Sequence, residues 1–383
     1  MIPFRYSYRN LLVRWKTTLM TAGGFTLVVA ALVVMIAFVN GIRTVCQDSG
    51  DSRNVVVLAK GNTDEVLSRI DMPTARYVET TPGVIRRQRG RPLLSRELFL
   101  VITQPDPHKA GQFQMLQARG VLPEAFEVHT QVQVTEGRMF QAGSQEVVVG
   151  RRMQQEHGMT IGSQHEIGRR SWKVVGIFDA NNSLFESEVW CPIDSLADTF
   201  RRPGSYTSLV ARTRDSNEAQ ELAARLSATR MITVEAVTEP THYANQAEQT
   251  DLLYTAGMVI AAFMSLGAVF GITNTMFAAI GQRIKDIAVM RLLGFRKSQI
   301  LTVFLIEALL IAALGGAVGL SLGYSINGLT QTFALGARSV AFAFHVDAGV
   351  LALGVAFTMG MGLIGGLLPA WSAMRVEALE SLR

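Results

Sequence analysis

The chain has 383 residues, 49% of them hydrophobic, with a mean hydropathy of +0.24 and a formal net charge of +5. That is too apolar for an ordinary soluble protein of this length, and the excess is unevenly spread. The basic residues flank apolar stretches instead of forming one surface, which argues against a nucleic-acid partner.

Residues 1–17 read as a cytoplasmic amphipathic segment. Phe4–Lys16 (FRYSYRNLLVRWK) mixes aromatics, aliphatics and arginines, a composition that can lie among membrane lipids. A membrane span needs about 20 apolar residues. The first such stretch is Thr18–Asn40, with a stalk to residue 45. Its core exceeds the roughly 7–15 residues of a signal peptide, and no small-x-small cleavage site follows Phe38, so it reads as a permanent anchor.

Residues 46–241 have ordinary globular composition and read as an extracytoplasmic domain. Strands are expected at Asn54–Lys60, Leu98–Thr103, Gln131–Val134, Glu146–Val149, His165–Ile167 and Trp172–Phe178. Helices are expected at Pro73–Thr81, which starts at a proline, and at Arg151–His157. Ser208–Ala211, the helix Asn217–Leu226 with Asn217 as N-cap, and Ile232–Val237 form a β-α-β unit. The expected fold is a split βαβ, porter-like α+β lobe with a β-rich lobe inserted at about 110–200. Cys46 and Cys191 lie in this region. An external compartment permits a disulfide, but the absence of paired spacings favours two free thiols.

Residues 242–282 read as a second stalk running unbroken into a second span, Ala256–Ile280. Residues 283–300 form a basic cytoplasmic loop, RIKDIAVMRLLGFRKSQI, read as an amphipathic helix. Its apolar face is Ile284, Ile287, Ala288 and Met290, with Arg291 turned away and Gly294 at its end. A third span follows at 301–327, then a short external loop at 328–347, a fourth span at 348–368 and a cytoplasmic tail at 369–383. Arg5, Arg9, Arg14 and Lys16 precede the first span, and Arg283, Lys285, Arg291, Arg296 and Lys297 sit between the second and third. Only Arg338 lies between the third and fourth. The positive-inside rule then puts both termini in the cytoplasm and the large domain outside.

Small residues recur at spacing four in the spans: Gly267 and Gly271; Gly315, Gly319 and Gly323; Gly362 and Gly366. That spacing allows close helix packing, within one bundle or across a dimer. Glu307 is an acid inside the third span. A structural role, paired with Arg283 or Arg14, is favoured over a proton relay, because a relay needs further polar groups. The chain has no G-x-x-x-x-G-K-[ST] phosphate loop, H-E-x-x-H or C-x-x-C motif. No catalytic residue, metal ligand or cofactor is assigned to it, and it is not expected to be an enzyme.

These features together resemble the FtsX-like permease family, in its MacB/LolC/LolE branch of ABC transporter membrane subunits (type VII, mechanotransmission). Arg283, Asp286, Ile287, Ala288, Arg291 and Gly294 fill the family's coupling segment, which here also includes Ile284, Val289 and Met290. Pro369, Ala370, Arg375, Leu382 and Arg383 match the family's ending, with Glu377-Ala378 in place of its usual Asp-Pro. Glu136–Gly150 and Trp172–Phe178 resemble the periplasmic core.

The resemblance implies a dimer with a second permease copy or homologue, and two copies of an ABC ATPase in trans that carry ATP and Mg. It admits a periplasmic adaptor and an outer-membrane channel as further partners. It implies an inner-membrane machine for efflux or lipoprotein extraction, with the ATPase docked on the coupling helix, a role that loss of complex or of coupled activity in Ile287→Asp would test. The alternative is an FtsX-like, non-transporting signal transducer that regulates a cell-wall hydrolase.

Overall fold

The computed structural model describes residues 13, 15–87, 90–105, 113–335 and 338–375. Most of the Phe4–Lys16 segment, Arg14, and the tail positions Glu377, Ala378, Leu382 and Arg383 lie outside the described residues. The chain divides into two units. One contains residues 1–41, 251–329 and 343–383; the other contains 42–250 and 330–342.

Helix α1 (Trp15–Asp48) has 34 residues, so it is roughly 50 Å long, well beyond the roughly 30 Å that crosses a bilayer core. The domain then opens with β1 (Asn54–Ala59), a run of β-branched residues, followed by β2 (Ile70–Asp71). Helix α2 (Met72–Thr80) has Pro73 in its first turn and Asp71 as N-cap, accepting from Thr74 N. Strands β3 (Leu94–Pro105) and β4 (Phe113–Val121) form a long antiparallel pair. Next come α3 (Ala125–Val128), β5 (Gln133–Gly137), β6 (Glu146–Gly150) and α4 (Arg151–His157), which ends at Gly158 in the left-handed conformation. Strands β7 (Gln164–Ile167), β8 (Arg170–Asp179) and β9 (Val189–Pro192) follow, then α5 (Ile193–Thr199), β10 (Ser205–Tyr206) and β11 (Ser208–Arg212). Helix α6 (Ser216–Ala228) leads to β12 (Val234–Thr238).

Strands β11 and β12 both pair antiparallel with β1, one on each side, and α6 connects them, which is the expected split βαβ lobe. The inserted lobe is built on β4, β9, β6, β8 and β5, with β4 parallel to β9 and β6 parallel to β8. The β3–β4 pair joins the two lobes into one ten-stranded sheet. The expected strand at Gln131–Val134 begins two residues later, at Gln133. The N-cap of α6 is Asp215, not Asn217. The Asp215 carboxylate accepts the Asn217 and Glu218 amides, both at 2.9 Å, and its charge favours a helix N-terminus. Cys46 and Cys191 are buried and not joined in a disulfide, and burial pushes the Cys191 thiol well up.

Helix α7 (Glu239–Gln282) contains the second apolar stretch, and α8 (Ile284–Leu292), α9 (Lys297–Ser325) and α10 (Ala348–Met374) follow. Helices α1, α7, α9 and α10 are each long and apolar enough to cross a membrane. The predicted loop 328–347 is instead a hairpin, β13 (Thr330–Leu335) and β14 (Arg338–Ala343).

Among the membrane-type helices, a side chain at Gly315 would strike the Ala22 carbonyl, and one at Gly319 would lie 2.8 Å from the Thr26 carbonyl. Gly323 meets Val33, Gly362 meets Ala312 and Gly366 meets Ala308. Thr26 Oγ1 can donate to the Ala22 carbonyl of its own helix or to the Gly315 carbonyl, each at 3.0 Å, and the second is within reach only because the helices approach closely. Gly267 and Gly271 differ: among the described residues nothing lies within 4 Å of their would-be side chains.

Candidate coupling sites

Helix α8 has nine residues, and its C-terminus is a Schellman turn. Gly294 has φ 88°, its amide donates to Arg291 O, and the Phe295 amide donates to Met290 O. Arg296 follows as the N-cap of α9, its amide donating to Gln299 Oε1 at 2.9 Å. The helix is not amphipathic in the expected sense, because it is apolar on both sides. Ile287 and Ala288 are fully buried in the core of the membrane-type unit, and Met290 packs against that core. Ile284, Val289, Leu292 and Leu293 are exposed, at 39%, 46%, 60% and 73%. One expectation is corrected: Ile284, expected on one apolar face with Ile287 and Ala288, is exposed while those two are buried. Lys285 and Asp286 are exposed, and Arg291 is half-buried.

Arg283, at the start of α8, reaches the buried Glu307 of α9 at 3.3 Å. This is the structural pairing expected for Glu307, and it pins the beginning of α8 to α9. On α10, Pro369 and Ala370 are buried, and the Arg375 guanidinium lies over the Trp371 ring at 3.6 Å.

The domain holds a second constellation that the sequence did not reveal. Arg119, on β4, is completely buried. It donates to Glu188 at 2.6 and 2.8 Å, to Glu65 at 3.0 and 3.3 Å, and to Glu97 at 2.5 Å. Its guanidinium also lies over the rings of Phe99 and Phe185. Trp190 Nε1 donates to Glu188 at 2.9 Å. The other Glu97 oxygen meets His129 Nε2 at 2.7 Å, and His129 Nδ1 lies 3.3 Å from Glu239 Oε1. Four buried carboxylates thus share two cationic side chains.

Burial would lower the Arg119 pKa, but Glu188, Glu65 and Glu97 outweigh it and raise it well above the usual value. Burial would likewise raise the Glu97 pKa, yet His129 and Arg119 hold it down. Burial would push His129 down; the Glu97 charge and its bonds to Glu239 and Glu97 lift it instead to about 10.

Glu239 is the first residue of α7, where a carboxylate also favours the helix N-terminus. Its Oε2 accepts from Asp51 N and Asn54 Nδ2, both at 2.9 Å. Arg212 donates to Asp51 Oδ2 at 3.0 Å and to Asn54 Oδ1 at 3.0 Å. Burial would raise the Asp51 pKa, but Arg53 and Arg212 bring it to about 2. Just after α1, a side chain at Gly50 would lie 2.8 Å from Pro240 Cα, so the two backbones touch. At the end of α1, Ser49 Oγ accepts from Leu184 N at 2.8 Å. The domain ends of α1 and α7 are therefore tied to each other and to the buried network.

His129 gives this junction a pH dependence. Its folded pKa is about 10 against about 6.5 for a free histidine, so its contribution is complete below about pH 6.5 and is lost as pH rises through about 10. Unfolding midpoints measured from pH 6 to 10 should fall with rising pH, and His129→Gln should flatten that dependence. An equal slope in both proteins would rule out this role for His129.

The network escaped sequence reading because its members span Glu65 to Glu239 with no common spacing. The available signal was weak: acid or arginine at inward positions of strands β3 and β4, and Glu239-Pro240 opening a helix.

Comparison with known proteins places both parts of the chain. Residues 18–229 match the MacB-like periplasmic core domain, and residues 258–378 match the FtsX-like permease C-terminal family. The macrolide export ATP-binding/permease protein MacB of Hahella chejuensis is 25% identical, over 95% of this chain and 57% of its own. MacB of Bordetella avium is 26% identical, over 86% and 55%. The chain spans about half the length of these curated relatives. The crystal structure of the periplasmic region of MacB from Actinobacillus actinomycetemcomitans covers 51% of this chain and 94% of its own, at 11% identity and a TM-score of 0.39. With one family model covering residues 18–229 and the second most of the remainder, this chain belongs to the FtsX-like ABC transporter permeases that carry a MacB-like periplasmic core domain.

Proposed function

We propose that this permease couples an ABC ATPase, docked on the exposed side of α8, to movement of its periplasmic domain. The work is done on an envelope substrate, either exported or, for a lipoprotein, extracted from the membrane. The observation that carries this reading is the two-sided apolar character of α8. One side seats the helix on α9 and its neighbours. The other leaves Val289, Leu292 and Leu293 uncovered in a segment whose flanking charges are cytoplasmic in character. The stalk-root network supports the same reading, because it gives the helix ends a rigid grip on the domain.

A second permease copy fits the bundle. The apolar part of α7 is the least covered of the four helices, with 11% of its apolar window buried against 39–50% for the others. Gly267 and Gly271 lie uncovered on that helix. In this arrangement both termini are cytoplasmic and the protein resides in the inner membrane.

The test is ATPase activity of the transporter, purified whole from its host and reconstituted in lipid. Substitutions on the outward side of α8 should uncouple it, and those on the polar surface of the domain should not.

A further inference from the structure

The β13–β14 hairpin joins α9 to α10, yet residues 330–342 cluster with the periplasmic domain. Two polar contacts fasten it to α4. Thr332 Oγ1 donates to Glu156 Oε1 at 3.1 Å. The Arg152 guanidinium donates to the Ala341 carbonyl and to Asn182 Oδ1, and its Nε lies 3.4 Å from Glu186 Oε2. Val340, Ala341 and Phe342 are buried.

This node is built differently from the one around Arg119. Arg119 meets three carboxylates that stabilise its charge. Arg152 is nearly as buried, at 7% exposed, but two of its three partners are neutral. Burial accordingly pushes its pKa down, against the opposing pull of Glu186 and Glu156. A desolvated cation of this kind is better hydrated once the contact opens. Its acceptor residue is also constrained. Asn181 and Asn182 have φ of 50° and 63°, two consecutive left-handed residues. Glu186 Oε1 holds them there by accepting from Ala180 N at 3.1 Å and Asn182 N at 2.8 Å. Opening at the Ala341 carbonyl would let water reach the buried charge, while the turn stays held by Glu186.

We infer that the β13–β14 hairpin is a releasable strap, fastened to the periplasmic domain at Arg152 and Glu156. Fastened, it makes the α9–α10 connection a third attachment of that domain. Released, it leaves the domain attached through α1 and α7. It opens locally, without unfolding of the ten-stranded sheet.

The test is amide hydrogen exchange on the full chain in lipid nanodiscs. The Val340–Phe342 amides should exchange at least about tenfold faster than those of Val147–Val149 in β6, although both segments are buried. Arg152→Ala should raise hairpin exchange by roughly a further tenfold and leave β6 unchanged, the effect of losing charge-assisted bonds. Thr332→Val removes only an exposed contact and should raise it about two- to threefold. If Arg152→Ala also deprotects β6, the Thr332→Val comparison decides. Hairpin exchange as slow as that of β6 in the parent, or unchanged by Thr332→Val, would overturn the strap.

Discussion

Replacing Arg119 with methionine is expected to cost the periplasmic domain about 3–5 kcal/mol of stability, the typical penalty for removing one partner from a buried ion network. Domains of ordinary size are stable by only about 5–15 kcal/mol, so this single change removes a large share. The reason lies in what stays behind. Glu65, Glu97 and Glu188 are each 1% exposed or less, and each loses its ion pair with Arg119. Arg119 is one of the cations that hold the Glu97 carboxyl down against burial, so its loss lets that carboxyl rise. The deficit of the mutant should therefore narrow as pH falls and Glu97 protonates, and widen as it rises. Arg119→Lys keeps the charge but not the planar fork that reaches three carboxylates, and should fall between the two. Urea unfolding followed by the buried Trp172 and Trp190 measures this directly. A midpoint equal to that of the parent would show that the network does not hold the domain together.

The second large effect is functional. Leu292→Asp with Leu293→Asp should reduce coupled ATPase activity about tenfold or more, the scale expected when central apolar anchors of an interface become charged. Both side chains are exposed, at 60% and 73%, so the permease itself should fold and insert normally. Ile287→Asp is the contrasting variant. It also abolishes activity, but by placing a charge where the side chain is fully buried, and so it lowers stability as well. Loss of activity at normal stability in the first variant, and loss of both in the second, separates docking from seating. Full coupling in the Leu292/Leu293 variant would remove α8 as the docking element.

The spans and most strands were legible because their signal is local. Runs such as Asn54–Ala59 and Glu146–Gly150 carry β-branched residues that suit a buried strand, and long apolar helices announce themselves by length. What stayed hidden depends on tertiary partners. Strand β4 carries Gln117 and Arg119 at buried positions, so its pattern does not read as a core strand. In α8, apolar residues on both sides of nine positions erase the periodicity that would say which side seats and which side docks. Gly267 and Gly271 have the same spacing as Gly315 and Gly319, yet among the described residues only the latter pair meets another backbone. Spacing identifies a surface that can pack and leaves its partner unnamed.

The most direct test of coupling is a distance measurement. Met231 is 79% exposed on the periplasmic domain, while Cys46 and Cys191 are buried, so a Met231→Cys variant offers a selective site for a spin label. In the reconstituted transporter, with the two permease copies proposed above, the label-to-label distance should shift when ATP binds and revert after hydrolysis, and it should not shift in the Leu292→Asp/Leu293→Asp variant. Identical distance distributions with and without ATP, in a parent transporter that hydrolyses ATP normally, would contradict the account.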